Sequence, residues 1–121
     1  MDNQAIAVRF LFLGLAIKNL ELDIEHVKKA PFKIKEPYLT GLERAHAKAT
    51  EEIKHLKKIM YNKQIKIMAT TRNKNFSHYI FHNGNQKEEL SYYNYMIRKN
   101  VKEIMEELIY HTPTKEYSER L

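Results

Sequence analysis

The first helical segment of the sequence is apolar on two opposite sides, and this constrains the fold more than any other feature. One stripe, with spacings of four and three residues, contains Ile6, Phe10, Leu13, Ile17, Leu20, Ile24 and Val27. A second stripe on roughly the opposite side of the helix contains Val8, Phe12, Leu15 and Leu22. Since an apolar helix face must be covered by other apolar groups, both stripes need a partner. We expect the chain to cover the first stripe and a second copy of the chain to cover Val8, Phe12, Leu15 and Leu22.

This apolar segment does not have the pattern of a membrane-spanning helix. Arg9 interrupts it and Lys18 and Asn19 close it, whereas a spanning helix needs about 20 predominantly apolar residues. The start of the chain is not basic, and no cleavage pattern follows Ile17. The chain has no cysteine, so nothing in it requires an oxidising compartment. We therefore expect a cytoplasmic protein with no membrane partner.

Apolar periodicity and helix-capping residues predict three long helices. The first runs from about residue 3 to residue 29 and ends before Pro31, and the second runs from about 37 to 64, with Pro37 in its first turn. The third runs from about 85 to 111, because Asn85 and Glu88 form a capping-box-like pair ahead of an apolar stripe. Each helix carries a stripe with a heptad-like period, which is typical of coiled-coil-like packing.

The segment between the second and third helices has a different composition. Residues 65–82 are rich in β-branched and aromatic side chains, which favours a short β-hairpin or an extended insertion. The sequence thus predicts a mainly α fold, a bundle of three long helices with this insertion. Residues 1–112 are expected to form a single domain, and residues 113–121 a mobile C-terminal tail.

Positive charge is concentrated in the middle of the chain. Residues 28–74 hold 13 Lys and Arg residues against four Glu residues. This basic segment could contact an acidic protein surface, nucleic acid or anionic lipid head groups, or it could simply solvate the second helix. The residues expected to contact an external partner are two cations beside the predicted hairpin turn, a nearby ring and two lysines of the second helix: Arg72, Lys74, Tyr79, Lys54 and Lys58.

Catalytic and metal-binding patterns are absent from the sequence. There is no glycine-rich phosphate loop, nucleophile elbow or metalloprotease motif. His78 and His82 are four residues apart, but two imidazoles do not make a metal site. We expect no enzyme activity, no catalytic residue, no cofactor and no bound metal, although a metal-dependent enzyme centred on these two histidines is a third hypothesis.

The function that these features favour is that of a small homo-oligomeric binding protein. It would act through protein–protein contacts as an adaptor, an inhibitor or a regulatory accessory factor. The alternative is a nucleic-acid-binding regulator that uses the basic segment 28–74. No sequence feature distinguishes an acidic protein partner from nucleic acid.

Overall fold

Three helices and a three-stranded antiparallel sheet make up residues 2–111, the part of the chain that the computed structural model describes. In chain order, the elements are α1 (Asn3–Lys29), α2 (Glu36–Lys63), β1 (Ile65–Arg72), β2 (Phe76–Asn83), β3 (Gln86–Tyr93), α3 (Asn94–Glu106) and a final π-helical turn (Glu107–His111). The strand order is β1-β2-β3, so β2 is central. The predicted tail, residues 113–121, lies outside the described residues.

The prediction of a mainly α bundle is wrong, because the layout is α+β. The observed bounds of α1 and α2 lie within one residue of the predicted ones. The predicted third helix, however, was to begin near residue 85, and β3 occupies Gln86–Tyr93 instead. Pairing of Asn83 with Gln86 leaves a two-residue turn whose first residue, Gly84, has a φ of +63°. A Gly-Asn turn of this kind is a hairpin signal, and it continues the sheet where we expected a helix cap.

The helices α1 and α2 form an antiparallel pair joined by a six-residue connection. The Arg9 guanidinium binds the Glu52 carboxylate at 2.7 Å, and farther along α1 Glu21 lies 3.0 Å from the His46 ring nitrogen. At its start, α1 is capped by the Asp2 carboxylate, which accepts a hydrogen bond from the main-chain N–H of Ala5 at 2.7 Å. These contacts fix how the two helices lie against each other.

The sheet and α3 cover the side of α1 that we expected a second copy to cover. Phe12 is only 5% exposed, and its ring makes an edge-on contact with Tyr92 of β3 at 5.7 Å between centroids. Val8 and Leu15 are half-buried and pack against the same core. Two helices alone could not have covered both stripes of α1, and α3 together with the sheet supplies the missing surface. The core therefore lies between the helices and one face of the sheet.

Residues 21–44 form a projecting hairpin that contributes no buried residue to this core. Within the described chain, the buried residues of α1 end at Leu20 and those of α2 begin at Ala45. Leu22 is 56% exposed. The distal half of the α1–α2 pair is thus held mainly by contacts between the two helices.

None of the helices within residues 2–111 is long and apolar enough to cross a bilayer.

Candidate protein-binding surface

One face of the sheet is left open by the helices. Along β2, the buried residues Ser77, Tyr79 and Phe81 alternate with the half-buried residues Phe76, His78, Ile80 and His82, as a strand with one covered face requires. Strand pairing places Met68 of β1 and Tyr93 of β3 on the side of the half-buried set, opposite Ile80 and Phe76. We call this side the open face; its residues are Lys66, Met68, Phe76, His78, Ile80, His82, Lys87, Glu89, Ser91 and Tyr93.

Aromatic rings cluster at one end of the open face. The Phe76 and Tyr93 rings lie 4.5 Å apart between centroids, and Tyr93 lies 5.4 Å from Tyr95 in the first turn of α3. The Phe76 ring also stacks on the His78 ring at 6.2 Å. Tyr93 and Tyr95 are exposed, and Met68, which lies farther along the face opposite Ile80, is exposed by 55%. Tyr, Phe and Met are enriched in protein interfaces, where they bury much apolar area.

The other end of the open face carries charges of both signs. Lys66 lies on β1, and Lys87 and Glu89 lie on β3. His78 Nδ1 is 2.7 Å from the Ser91 hydroxyl and 3.8 Å from Glu89 Oε1. The open face therefore combines an aromatic part with a charged part, as protein interfaces combine an apolar centre with a polar rim.

The turn between β1 and β2 borders the aromatic end and is anchored by Asn94. The Asn94 side-chain amide donates hydrogen bonds to the main-chain oxygens of Asn73 and Lys74 at 3.0 and 3.1 Å. Its carbonyl oxygen accepts a hydrogen bond from the buried Ser77 hydroxyl at 2.6 Å. In the sequence, Asn94 is a polar residue within an apolar stripe. In the structure, its side-chain amide pairs main-chain oxygens of the β1–β2 turn that would otherwise lack a hydrogen-bond donor.

The structure brings together only some of the residues predicted to contact an external partner. Arg72 and Lys74 flank the β1–β2 turn and are exposed. Tyr79 is buried on the helix side of β2, with its ring 6.2 Å from that of Tyr92, so it cannot stack on a ligand at the open face. Lys54 and Lys58 are exposed on α2, away from this turn in the chain and on a different element.

A cavity of about 430 Å³ opens on the helix side of the sheet, beside the irregular pairing between Ala69 and Arg72. Leu15 of α1 and Ile97 and Val101 of α3 line its apolar part, and Arg72 lies at its polar part. The Leu15 side chain therefore faces this cavity, which places it between elements of its own chain. Of the four residues predicted for self-association, Leu22 alone is exposed.

Their surroundings raise the pKa values of two side chains, Arg9 and Tyr92. The hydrogen bond to Glu52 raises the pKa of Arg9, against the opposing effect of burial. Burial raises the pKa of the Tyr92 phenol above its usual value, with smaller contributions from Tyr79 and Glu88. Neither group lies on the open face.

The two histidines of the metal hypothesis lie too far apart on β2 to share an ion. Residues four apart in a strand are separated by about 13 Å, whereas ligands of one Zn²⁺ each lie about 2 Å from the metal. Within residues 2–111, no group of three His, Asp or Glu side chains is placed to hold a metal ion. The structure thus does not assemble a metal centre around His78 and His82.

The residues predicted to contact a partner did not include Tyr93 and Tyr95. Both were expected in the third helix, at an interface or at the edge of the core, where rings at positions 93 and 95 would not share a face. The alternation of Leu90 and Tyr92 with Ser91 and Tyr93 is the signal that could have identified them.

The comparisons with known proteins agree on one family. The family model described as YhjD protein matches residues 1–113. The uncharacterized protein YhjD of Bacillus subtilis (strain 168) is 28% identical over 97 residues, which cover 80% of this chain and 81% of the relative. No solved structure matches the chain. The chain belongs to the YhjD protein family.

Proposed function

We propose that the protein is a small homo-oligomeric binding protein that acts through protein–protein contacts, as an adaptor, an inhibitor or a regulatory accessory factor. Its contact surface is the open face of the sheet. The observation that carries this proposal is the aromatic cluster of Phe76, Tyr93 and Tyr95, in which both tyrosines are exposed. The lack of cysteine supports a cytoplasmic location as part of the proposal.

The two faces of the sheet differ in whether the rest of the chain covers them. The covered face packs against α1 and α3 and is complete within the chain. The open face exposes Met68 and Tyr93, and Tyr95 is exposed next to Tyr93; exposed apolar side chains grouped on one side of a small protein are typical of an interaction site. A sheet with one uncovered aromatic face therefore supports a binding role.

A second copy of the chain is the partner we propose for this face. Lys66 and Lys87 lie on the same face as Glu89, so two copies can meet without like charges repelling over the whole surface. Two-fold symmetric contacts, in which the same patch is used twice, are the commonest form of oligomer. An adaptor or inhibitor function would then use surfaces outside this contact or compete for it.

The experiment is a mass measurement by light scattering on the full chain and on charge-introducing variants. Each chain has a mass of 14.5 kDa, and we expect the wild type to have at least twice that mass at micromolar concentration. Met68→Lys and Tyr95→Lys should give monomers, because the first places a charge on the open face and the second places one beside its aromatic end. Both side chains are exposed, so circular dichroism should show that the variants remain folded.

Two further variants make the result specific. Tyr61 of α2 is 84% exposed and lies outside the open face, so Tyr61→Lys should leave the mass unchanged. Leu22→Lys tests the exposed end of the α1 stripe, and on our proposal it also leaves the mass unchanged. A wild-type monomer would refute self-association, and an oligomer that survives Met68→Lys and Tyr95→Lys would refute the open face as the contact.

A nucleic-acid-binding regulator is the second candidate, and the same aromatic cluster favours it. Rings on an uncovered antiparallel sheet can stack on unpaired bases, and Lys74 is exposed in the turn that leads into Phe76. This hypothesis predicts that a fluorescent single-stranded oligonucleotide binds and that its affinity falls steeply between about 50 and 200 mM salt. Absence of binding at the lower salt concentration would refute it.

A further inference from the structure

The connection between α1 and α2 combines exposed apolar side chains with lysines. Phe32, Ile34 and Tyr38 are all exposed, Ile34 by 73%. The rings of Phe32 and Tyr38 make an edge-on contact at 5.7 Å. We call residues 28–38 the basic tip.

The basic tip carries a concentrated positive charge. Its lysines are Lys28, Lys29, Lys33 and Lys35, against one acidic residue, Glu36. Lys35 Nζ donates a hydrogen bond to the main-chain oxygen of Lys28 at 2.6 Å, which joins the two ends of the connection. The side chains of Lys28, Lys29 and Lys33 are exposed, and none of them forms an ion pair recorded within residues 2–111.

The basic tip also stands at the end of the projecting hairpin. Residues 21–44 include no buried residue, so this end of the α1–α2 pair extends beyond the core. The apolar side chains of the basic tip are therefore presented on a projection rather than in a concave groove. Projecting apolar groups can insert into the headgroup region of a lipid bilayer. A folded protein partner would instead need a cavity shaped to receive them.

We propose that the basic tip docks on membrane surfaces rich in anionic phospholipid. Ile34 and Phe32 enter the headgroup region, and Lys28, Lys29 and Lys33 lie against the lipid phosphates. An apolar insertion flanked by cations is the pattern of interfacial membrane binding, and lysines near an anionic leaflet add electrostatic attraction. The expectation of no membrane partner considered α1 alone, whose apolar character on two sides does not suit an interfacial helix; the basic tip is a separate feature.

The test is sedimentation of the full chain with lipid vesicles. We expect it to bind vesicles made from equal amounts of phosphatidylglycerol and phosphatidylcholine and to leave vesicles of phosphatidylcholine alone unbound. The double variant Lys29→Glu/Lys33→Glu should lower the partition coefficient by about 30-fold or more, from about 5-fold for each lysine removed. Ile34→Ser should lower binding by about 10-fold, because it removes the inserted apolar group.

Matched variants on α2 separate the basic tip from general positive charge. Lys57→Glu/Lys63→Glu makes the same change in net charge at exposed positions outside the tip, and Tyr61→Ser removes an exposed apolar group there. Both should bind anionic vesicles at close to the wild-type level. No binding of the wild type to anionic vesicles would overturn the proposal, as would an equal loss in the α2 variants. Binding to a polyglutamate peptide without binding to vesicles would assign the tip to an acidic protein and also overturn it.

Discussion

At the scale of single residues, Arg9 has a role that its place in the sequence does not reveal. It is the one charged residue between Ala5 and Ile17, and in the sequence it served as evidence against a membrane span. In the structure its Nε and Nη2 atoms donate to both oxygens of Glu52, at 2.7 and 2.9 Å. Such a two-point contact is stronger and more specific than a single ion pair. Arg9 therefore sets how α1 and α2 lie against each other.

Replacing Arg9 with Met should destabilise the protein by about 1–2 kcal/mol, because Glu52 then loses its partner while remaining half-buried. The double variant Arg9→Met/Glu52→Met should lose less than the sum of the two single variants. Urea unfolding followed by circular dichroism gives the three free energies. Lys102→Met provides the control, since the exposed Lys102–Glu106 pair is at 4.0 Å and should contribute much less. Equal effects of Arg9→Met and Lys102→Met would contradict this role for Arg9.

At the scale of elements, Gly14 is a weak point in the middle of α1. A Cβ built on Gly14 would lie 3.7 Å from Ile53 Cδ1, which is an ordinary van der Waals contact and not a clash. Gly14→Ala should therefore stabilise the protein by about 0.5–1 kcal/mol, because alanine loses less backbone entropy in a helix and fills this space. Thermal unfolding should show a higher midpoint.

Two other glycines provide the comparison for Gly14. Gly41 has open space around its Cα and lies in α2, so Gly41→Ala should stabilise by a similar or smaller amount. Gly84 has a φ of +63° in the β2–β3 turn, so Gly84→Ala should destabilise by about 1 kcal/mol. If Gly14→Ala lowers the midpoint as Gly84→Ala does, then α1 and α2 pack too tightly there for a methyl group.

The same elements show what the sequence could and could not predict. The two long helices follow from their own apolar stripes and from Pro31 and Pro37, which are local signals. The third strand does not follow from local signals. Leu90 fits both the helical stripe that continues through Ile97 and the alternation of β3. Its strand state depends on pairing with β2, including Tyr79 opposite Leu90, and such tertiary contacts override local preference. The open face followed from that strand, so Tyr93 and Tyr95 could not be placed without it.

At the scale of the whole molecule, the core is unevenly distributed along the α1–α2 pair. Its proximal half packs against the sheet and α3, with Leu13, Ala16 and Leu20 fully buried. Its distal half, residues 21–44, includes no buried side chain and has the exposed Glu21–His46 contact near its base. Local opening requires less free energy where fewer apolar contacts must be broken. The molecule therefore combines a well-packed body with a projection that is held less firmly.

This difference predicts a gradient of hydrogen exchange within single helices. In α1, amides of residues 21–29 should be protected at least about 10-fold less than those of residues 6–20, and in α2 those of residues 37–44 less than those of residues 45–60. Hydrogen-exchange mass spectrometry with overlapping peptides resolves these segments. Dilution of the protein distinguishes protection by the chain's own packing from protection by a second copy. If a second copy covers Leu22, protection of residues 21–29 rises with protein concentration. Uniform protection along α1 that does not change on dilution would contradict the projecting hairpin as a separate, less stable part of the molecule.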